Sequence, residues 1–143
     1  MKQGIHYQRS HSPTLMHVSM RFLFALAAAM DLKVIGGDFS QAYLNAELDE
    51  TEWYHMWPPK SARQHDEQGR RIVWQVVKSL YGGKNAGRNW YLKLRQFLLD
   101  KGFEQCYCEP CVFFKREGLV IGAYVDDLIF LASDDSDMAD IIA

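Results

Sequence analysis

The stretch Leu119 to Ser133, LVIGAYVDDLIFLAS, sets two adjacent carboxylates, Asp126 and Asp127, inside a run of residues that favour buried strands. Valine, isoleucine, tyrosine and phenylalanine suit a pleated, packed surface, whereas a buried carboxylate without a partner is costly. No lysine or arginine occurs from Gly118 to Ala143. The chain must therefore bring the pair to a place where strands end, such as a hairpin tip, and supply positive charge from elsewhere.

Charge is segregated along the sequence. Residues 31–59 hold one lysine against six acids, residues 60–101 hold ten lysines and arginines against three acids, and residues 117–143 hold seven acids and no base. The overall charge of −2 conceals this pattern. Solvated charged faces would explain any one segment, while acidic segments that bind metal and a basic one that binds phosphate would explain all three. At 143 residues and 48% apolar composition the chain has enough material for one domain with a core and is not a disordered polymer. Its three cysteines give no disulfide framework. The start, MKQGIHYQRSHS, has no apolar core of a signal peptide, and FLFALAAAM is too short to span a bilayer. An intracellular soluble domain is expected.

The periodicities predict a mixed architecture. SMRFLFALAAAMD reads as an alanine-rich helix, apolar nearly all round and hence buried. Lys33–Phe39 reads as a strand ending near Asp38, followed by a short helix with Ser40 as its N-cap. Glu52–Trp57 and Arg71–Val77 read as strands, the first stopped by Pro58 and Pro59, with SARQHDEQGR as an exposed polar loop between them. The glycine-rich YGGKNAG precedes a helix over RNWYLKLRQFLLDKG, whose Trp90, Tyr91, Leu94, Phe97 and Leu98 recur at helical spacing and which Gly102 ends. Strands follow from Cys111 to Ser133, and DSDMADIIA looks like the first turn of another helix. The expected fold is α+β, an antiparallel sheet with helices packed on one face. Trp53, Trp57, Trp74 and Trp90 are expected in the core.

Asp38, at the end of one strand, could lie beside Asp126 and Asp127 if the two strands pair. Carboxylates on rigid strands are what a hard divalent cation needs, and two such ions about 4 Å apart can activate an attacking oxygen and stabilise a leaving one. A surface acidic turn is the alternative. A phosphoacceptor signalling domain would need a parallel sheet and a lysine on a late strand, and neither is evident.

Tyr124–Asp127, YVDD, flanked by apolar residues, resembles the active-site box of reverse transcriptases. GGDFSQAYLNAELDE resembles the family's first aspartate box, and Ser79–Phe103 resembles the SLYGLKQAPRAWY block of copia-type retrotransposon polymerases. HSPT (residues 11–14) and WYHMWPP fall in the expected order. The resemblance covers nearly the whole chain and implies a partial reverse transcriptase domain with a palm-like fold. Residues 1–30 would be a remnant of the fingers–palm junction and residues 31–143 the palm, with the thumb, most of the fingers, integrase and ribonuclease H absent. It implies RNA-directed DNA polymerisation, in which a primer 3′-hydroxyl attacks a deoxynucleoside triphosphate. The implied cofactor is a pair of magnesium ions, with manganese possible, held by Asp38, Asp126, Asp127 and the Phe39 carbonyl. Tyr43 would exclude the 2′-hydroxyl of ribonucleotides, and Lys84, Asn85, Arg88 and Tyr124 would contact template or nucleotide. The implied partners are an RNA template, a DNA primer and the remaining polyprotein segments, with no membrane. The implied location is a cytoplasmic particle of the element, or the nucleus.

The sequence departs from the family block at Gly83, Asn85 and Gly87, where an apolar residue, a glutamine and a proline are expected. A looser turn is anticipated there, and a non-catalytic relic of a degenerate element with at most weak nucleic-acid binding is the competing reading. By itself the fragment is expected to be inactive. Cys106, Cys108 and Cys111 include a C-x-x-C pair, but a zinc site wants four ligands and no second pair follows.

Overall fold

The computed structural model describes residues 10–48, 54–116 and 118–134. The elements run α1 (His17–Ala29), β1 (Lys33–Asp38), a single 3₁₀ turn at Ala42–Asn45, β2 (Tyr54–Met56), a second 3₁₀ turn at Lys60–Ala62, β3 (Trp74–Val76), α2 (Ala86–Asp100), β4 (Glu104–Gln105), β5 (Val112–Phe114), β6 (Val120–Tyr124) and β7 (Asp127–Ala132). They fall into two compact units. One comprises residues 12–42 and the chain from 91 onward; the other comprises residues 43–90 with residues 10 and 11. The expected helix at DSDMADIIA lies, from Asp135 on, outside the described residues, as do Trp53 and the start of the chain.

The first unit is built on a five-stranded antiparallel sheet in the order β1-β7-β6-β5-β4. Its two faces follow from register. Val34, Leu131 and Val120 lie opposite one another, as do Gly36, Ile129, Gly122 and Val112, so these side chains share one face. That face carries a cluster of buried Leu15, Leu23, Ala27, Cys111 and Leu131, with Ile129, Val120, Val112 and Tyr91 of α2 packed against it. A β-carbon on Gly122 would lie 2.8 Å from Leu23 and 3.2 Å from Leu15, so glycine lets these two leucines close on the sheet. The opposite face is buried too: Phe113, Ile121 and Phe130 stand in one row and are at most 2% exposed. Gly37 explains itself here, because a β-carbon would sit 2.9 Å from the Phe130 ring. Each such side chain contributes about 1.5–3 kcal/mol by leaving water.

The helices α1 and α2 end in backbone motifs that a sequence can encode. At α2, Gly102 takes φ +85°, its amide donates to the Leu99 carbonyl at 2.9 Å, and the Phe103 amide donates to Leu98 at 3.0 Å. This is the Schellman arrangement, with Phe103 and Leu98 both buried. The end of α1 repeats it with Asp31 at φ +53° and the Leu32 amide donating to Ala27 at 2.9 Å. The start of α1 is held from a distance. Buried Glu109 accepts the Met16 amide at 3.2 Å and the Ser19 hydroxyl at 2.7 Å, which places a carboxylate at the positive end of the helix.

The expectation that α1 is buried all round does not hold. Leu23 and Ala27 are buried, while Phe22 is 65% exposed and Val18, Phe24 and Met30 are exposed with it. Apolar composition sets how much surface could be buried, and the packing of one stripe on the sheet decides how much is.

The second unit contains the two-stranded antiparallel sheet β2-β3, in which Tyr54, His55 and Met56 face Val76, Gln75 and Trp74. The stretch expected to be a polar loop is a braced hairpin. His65 bridges Arg71, the Ile72 amide donates to Gln64 at 3.0 Å, and Asp66 accepts the amides of Gln68 at 3.0 Å and Arg70 at 2.8 Å. Trp57 and Trp74, expected in the core, are exposed, and Trp90 is buried as expected.

Candidate active site

Asp38 is the last residue of β1 and Asp127 the first of β7. They lie directly opposite in the antiparallel pair, and Tyr124 of β6 lies opposite Asp127 in turn. The three side chains thus form one row across three strands, on the sheet face that carries α1. The Phe39 amide donates to the Asp126 carbonyl at 3.0 Å. That bond makes the next pair, Asp38 with Asp127, a non-hydrogen-bonded one, in which Cα atoms are about 4.5 Å apart and side chains are closest.

Asp126 occupies the turn between β6 and β7. The two-residue loop, Val125 and Asp126, is short enough that its first residue must adopt a left-handed conformation, and Val125 does so at φ +59°. A β-branched side chain in that region is strained by roughly 1–3 kcal/mol. Glycine or asparagine would relieve it. A strained valine beside two carboxylates is the kind of local conflict that accumulates at functional sites.

Asp38 and Asp127 are exposed and Asp126 is half-buried. Among the described residues none of the three forms an ion pair with lysine or arginine. Nor, among the described residues, are three His, Cys, Asp or Glu side chains gathered into a set that could hold a metal ion. The row supplies two carboxylates side by side and a third in the adjoining turn. The Phe39 carbonyl accepts the Ala42 amide at 3.2 Å. All of these donors are oxygens, the chemistry that hard divalent cations take.

His17, the first residue of α1, lies with its ring centroid 6.5 Å from that of Tyr124. Nothing in its sequence surroundings singles it out; only the packing of α1 on this face brings it there.

Tyr43, Lys84, Asn85 and Arg88 belong to the other unit. The Tyr43 ring is half-buried with its centroid 4.7 Å from that of Tyr81. Lys84 is exposed and Arg88 half-buried. Asn85 is 1% exposed and precedes α2 as its N-cap, its carbonyl accepting the Asn89 amide at 2.9 Å. The turn before it is closed by the Gly83 amide donating to Leu80 at 2.9 Å.

Comparison with known proteins places these features in a wider set. The family model for reverse transcriptase (RNA-dependent DNA polymerase) matches residues 1–142. The chain is 33% identical over 137 residues to the retrovirus-related Pol polyprotein from transposon TNT 1-94 of Nicotiana tabacum, covering 93% of this chain and 10% of that protein. It is 29% identical over 136 residues to the retrovirus-related Pol polyprotein from transposon RE1 of Arabidopsis thaliana, covering 93% and 9%. It is 32% identical over 124 residues to the truncated transposon Ty1-A Gag-Pol polyprotein of Saccharomyces cerevisiae, covering 86% and 10%. The chain therefore spans about a tenth of the length of these relatives. No solved structure matches it. Among the described residues no helix is long and apolar enough to cross a membrane.

Proposed function

The chain belongs to the reverse transcriptase (RNA-dependent DNA polymerase) family, and from that premise we propose that it is the catalytic palm segment of a copia-type retrotransposon polymerase. The reaction is transfer of a deoxynucleotide to a primer 3′-hydroxyl on an RNA template, with release of pyrophosphate. The observation that carries this reading is the row of Asp38 and Asp127 on one sheet face, with Asp126 in the adjoining turn. Carboxylates forced side by side are mutually destabilising unless they serve a cation.

Asp38 and Asp127, with Asp126 brought in from the adjoining turn, would hold a divalent metal, which would supply the positive charge that the triphosphate requires. The chain's own contribution is positioning. The sheet fixes Asp38 against Asp127 through a ladder of register pairs from Lys33 onward, and the strained turn fixes Asp126. The Tyr43 ring limits room at the sugar 2′ position. Lys84 and Arg88, at the start of α2, attract template or nucleotide phosphates, and buried Asn85 sets the helix start that presents them. The other partners in this reading are the remaining segments of the polyprotein, in a cytoplasmic particle of the element or the nucleus.

The test is primer extension by a chimera. The segment of a homologous Pol polyprotein that matches residues 1–142 is replaced by this chain, and deoxynucleotide incorporation on a primed RNA is measured with magnesium. Extension that falls at least a hundredfold on Asp126→Asn is expected. Extension insensitive to Asp126→Asn, or absent from the chimera while the parent polyprotein is active, would favour a non-catalytic relic.

A further inference from the structure

We propose that the unit containing β2 and β3 carries a nucleotide-sized pocket for single-stranded nucleic acid, made of none of the aspartate-row residues. A cavity of about 360 Å³ is lined by Trp57, Arg63, Gln64, His65, Arg71 and Ile72. That volume lies within the range of small-ligand sites.

The lining is preorganised. Four of its residues come from the hairpin at Gln64–Ile72, which is braced by the His65–Arg71 bridge, by the Ile72 amide on Gln64, and by the Gly69 amide on Asp66 at 3.0 Å. Asp66 is itself taken by Arg70, whose Nε lies 2.7 Å from its carboxylate. Arg63 and Arg71 are left without an ion pair among the described residues. Arg63 is anchored by donating from Nε to the Pro58 carbonyl at 3.4 Å. The Arg71 guanidinium lies 5.9 Å from the centroid of the Trp57 ring. That indole is 57% exposed, a large apolar surface to leave in water.

The combination selects the ligand. An acidic peptide would use the two arginines and not the ring. A neutral aromatic molecule would use the ring and not the arginines. A nucleotide unit uses both: its base stacks on Trp57, with the Gln64 amide available to the base edge, and its phosphate meets Arg63 and Arg71. Stacking of this kind tolerates any base, so the pocket tracks a strand rather than reading its sequence. The choice of nucleic acid over other phosphorylated ligands rests on the polymerase reading; the pocket itself does not.

The test uses the 143-residue chain and a fluorescein-labelled single-stranded 12-mer, in RNA and DNA form, with binding followed by fluorescence anisotropy at low salt. Trp57→Ala is expected to weaken binding about tenfold or more, and Trp57→Phe to retain most of it. Arg71→Gln is expected to weaken binding several-fold and to reduce the salt slope by about one. No binding by the wild type would overturn the proposal. So would equal binding by wild type, Trp57→Ala and Arg71→Gln, or displacement of the oligonucleotide by polyglutamate of equal charge concentration, which would mark an unspecific anion patch. The two readings fail separately: unchanged binding by Trp57→Ala sinks the pocket, and chimera extension insensitive to Asp126→Asn sinks the polymerase.

Discussion

Asp38 faces Asp127 across the non-hydrogen-bonded pair that ends the β1–β7 ladder, and among the described residues neither forms an ion pair with lysine or arginine. Like charges directly opposite on a sheet oppose folding by about 0.2–1 kcal/mol. Asp38→Asn should therefore raise the stability of the metal-free chain by that order while abolishing extension by the chimera. Thermal unfolding in chelator, compared with wild type, checks the first half. A midpoint lowered by the substitution would mean that Asp38 makes a stabilising contact instead.

Val125 carries strain that a different residue would not. Val125→Gly should relieve about 1–3 kcal/mol of backbone strain, offset in part by about 0.5–1 kcal/mol of extra chain entropy. A higher urea midpoint is expected, together with slower extension by the chimera, because a relaxed turn holds Asp126 less firmly. Unchanged stability would show that the left-handed conformation costs this valine nothing.

Tyr43 tests the proposed discrimination between sugars. In the chimera, Tyr43→Val should raise ribonucleotide incorporation relative to deoxynucleotide incorporation, since the lost bulk matters only to substrates with a 2′-hydroxyl. If the ratio does not move, the Tyr43 ring serves its contact with Tyr81 and the selection lies elsewhere.

Burial, assisted by the nearby Glu109 charge, pushes the Cys111 thiol up from 9.0 to about 12. Because the folded value is raised, the neutral thiol costs nothing below pH 9, and stability is lost as pH rises from 9 through about 12. Chemical denaturation across that range should show a steeper loss for wild type than for Cys111→Ala. The opposite sign holds at Asp66. The Arg70 amide, ahead of the Arg70 side chain, holds its carboxyl below 3.8, so the hairpin gains from ionised Asp66 above that value and loses the gain as pH falls through the lowered one.

The parts of the site that sequence makes legible are local. The strand ending at Asp38 and the hairpin tip at Asp126 follow from alternation and turn length over a few residues, whereas the helix expected from Arg88 begins earlier, at Ala86. The Asp38–Asp127 register does not, because nothing near either residue specifies which strands pair. Exposure is not legible for the same reason: Phe22 and Trp57 are as apolar as Leu23 and Trp90, and only the tertiary partner separates them. The hairpin at Gln64–Ile72 did leave a signal, Asp66 followed by Gly69, which suits an aspartate accepting the next amides and a glycine at φ +75°.

Manganese titration of the 143-residue chain, followed by electron paramagnetic resonance of the free ion, tests most directly whether the row of carboxylates takes divalent metal. Loss of free-ion signal on adding wild-type chain, competed by magnesium and abolished by Asp38→Asn or Asp127→Asn, is the predicted result. Manganese uptake that survives both substitutions, or no uptake even when a deoxynucleoside triphosphate is supplied at the same free-ion concentration, would contradict it.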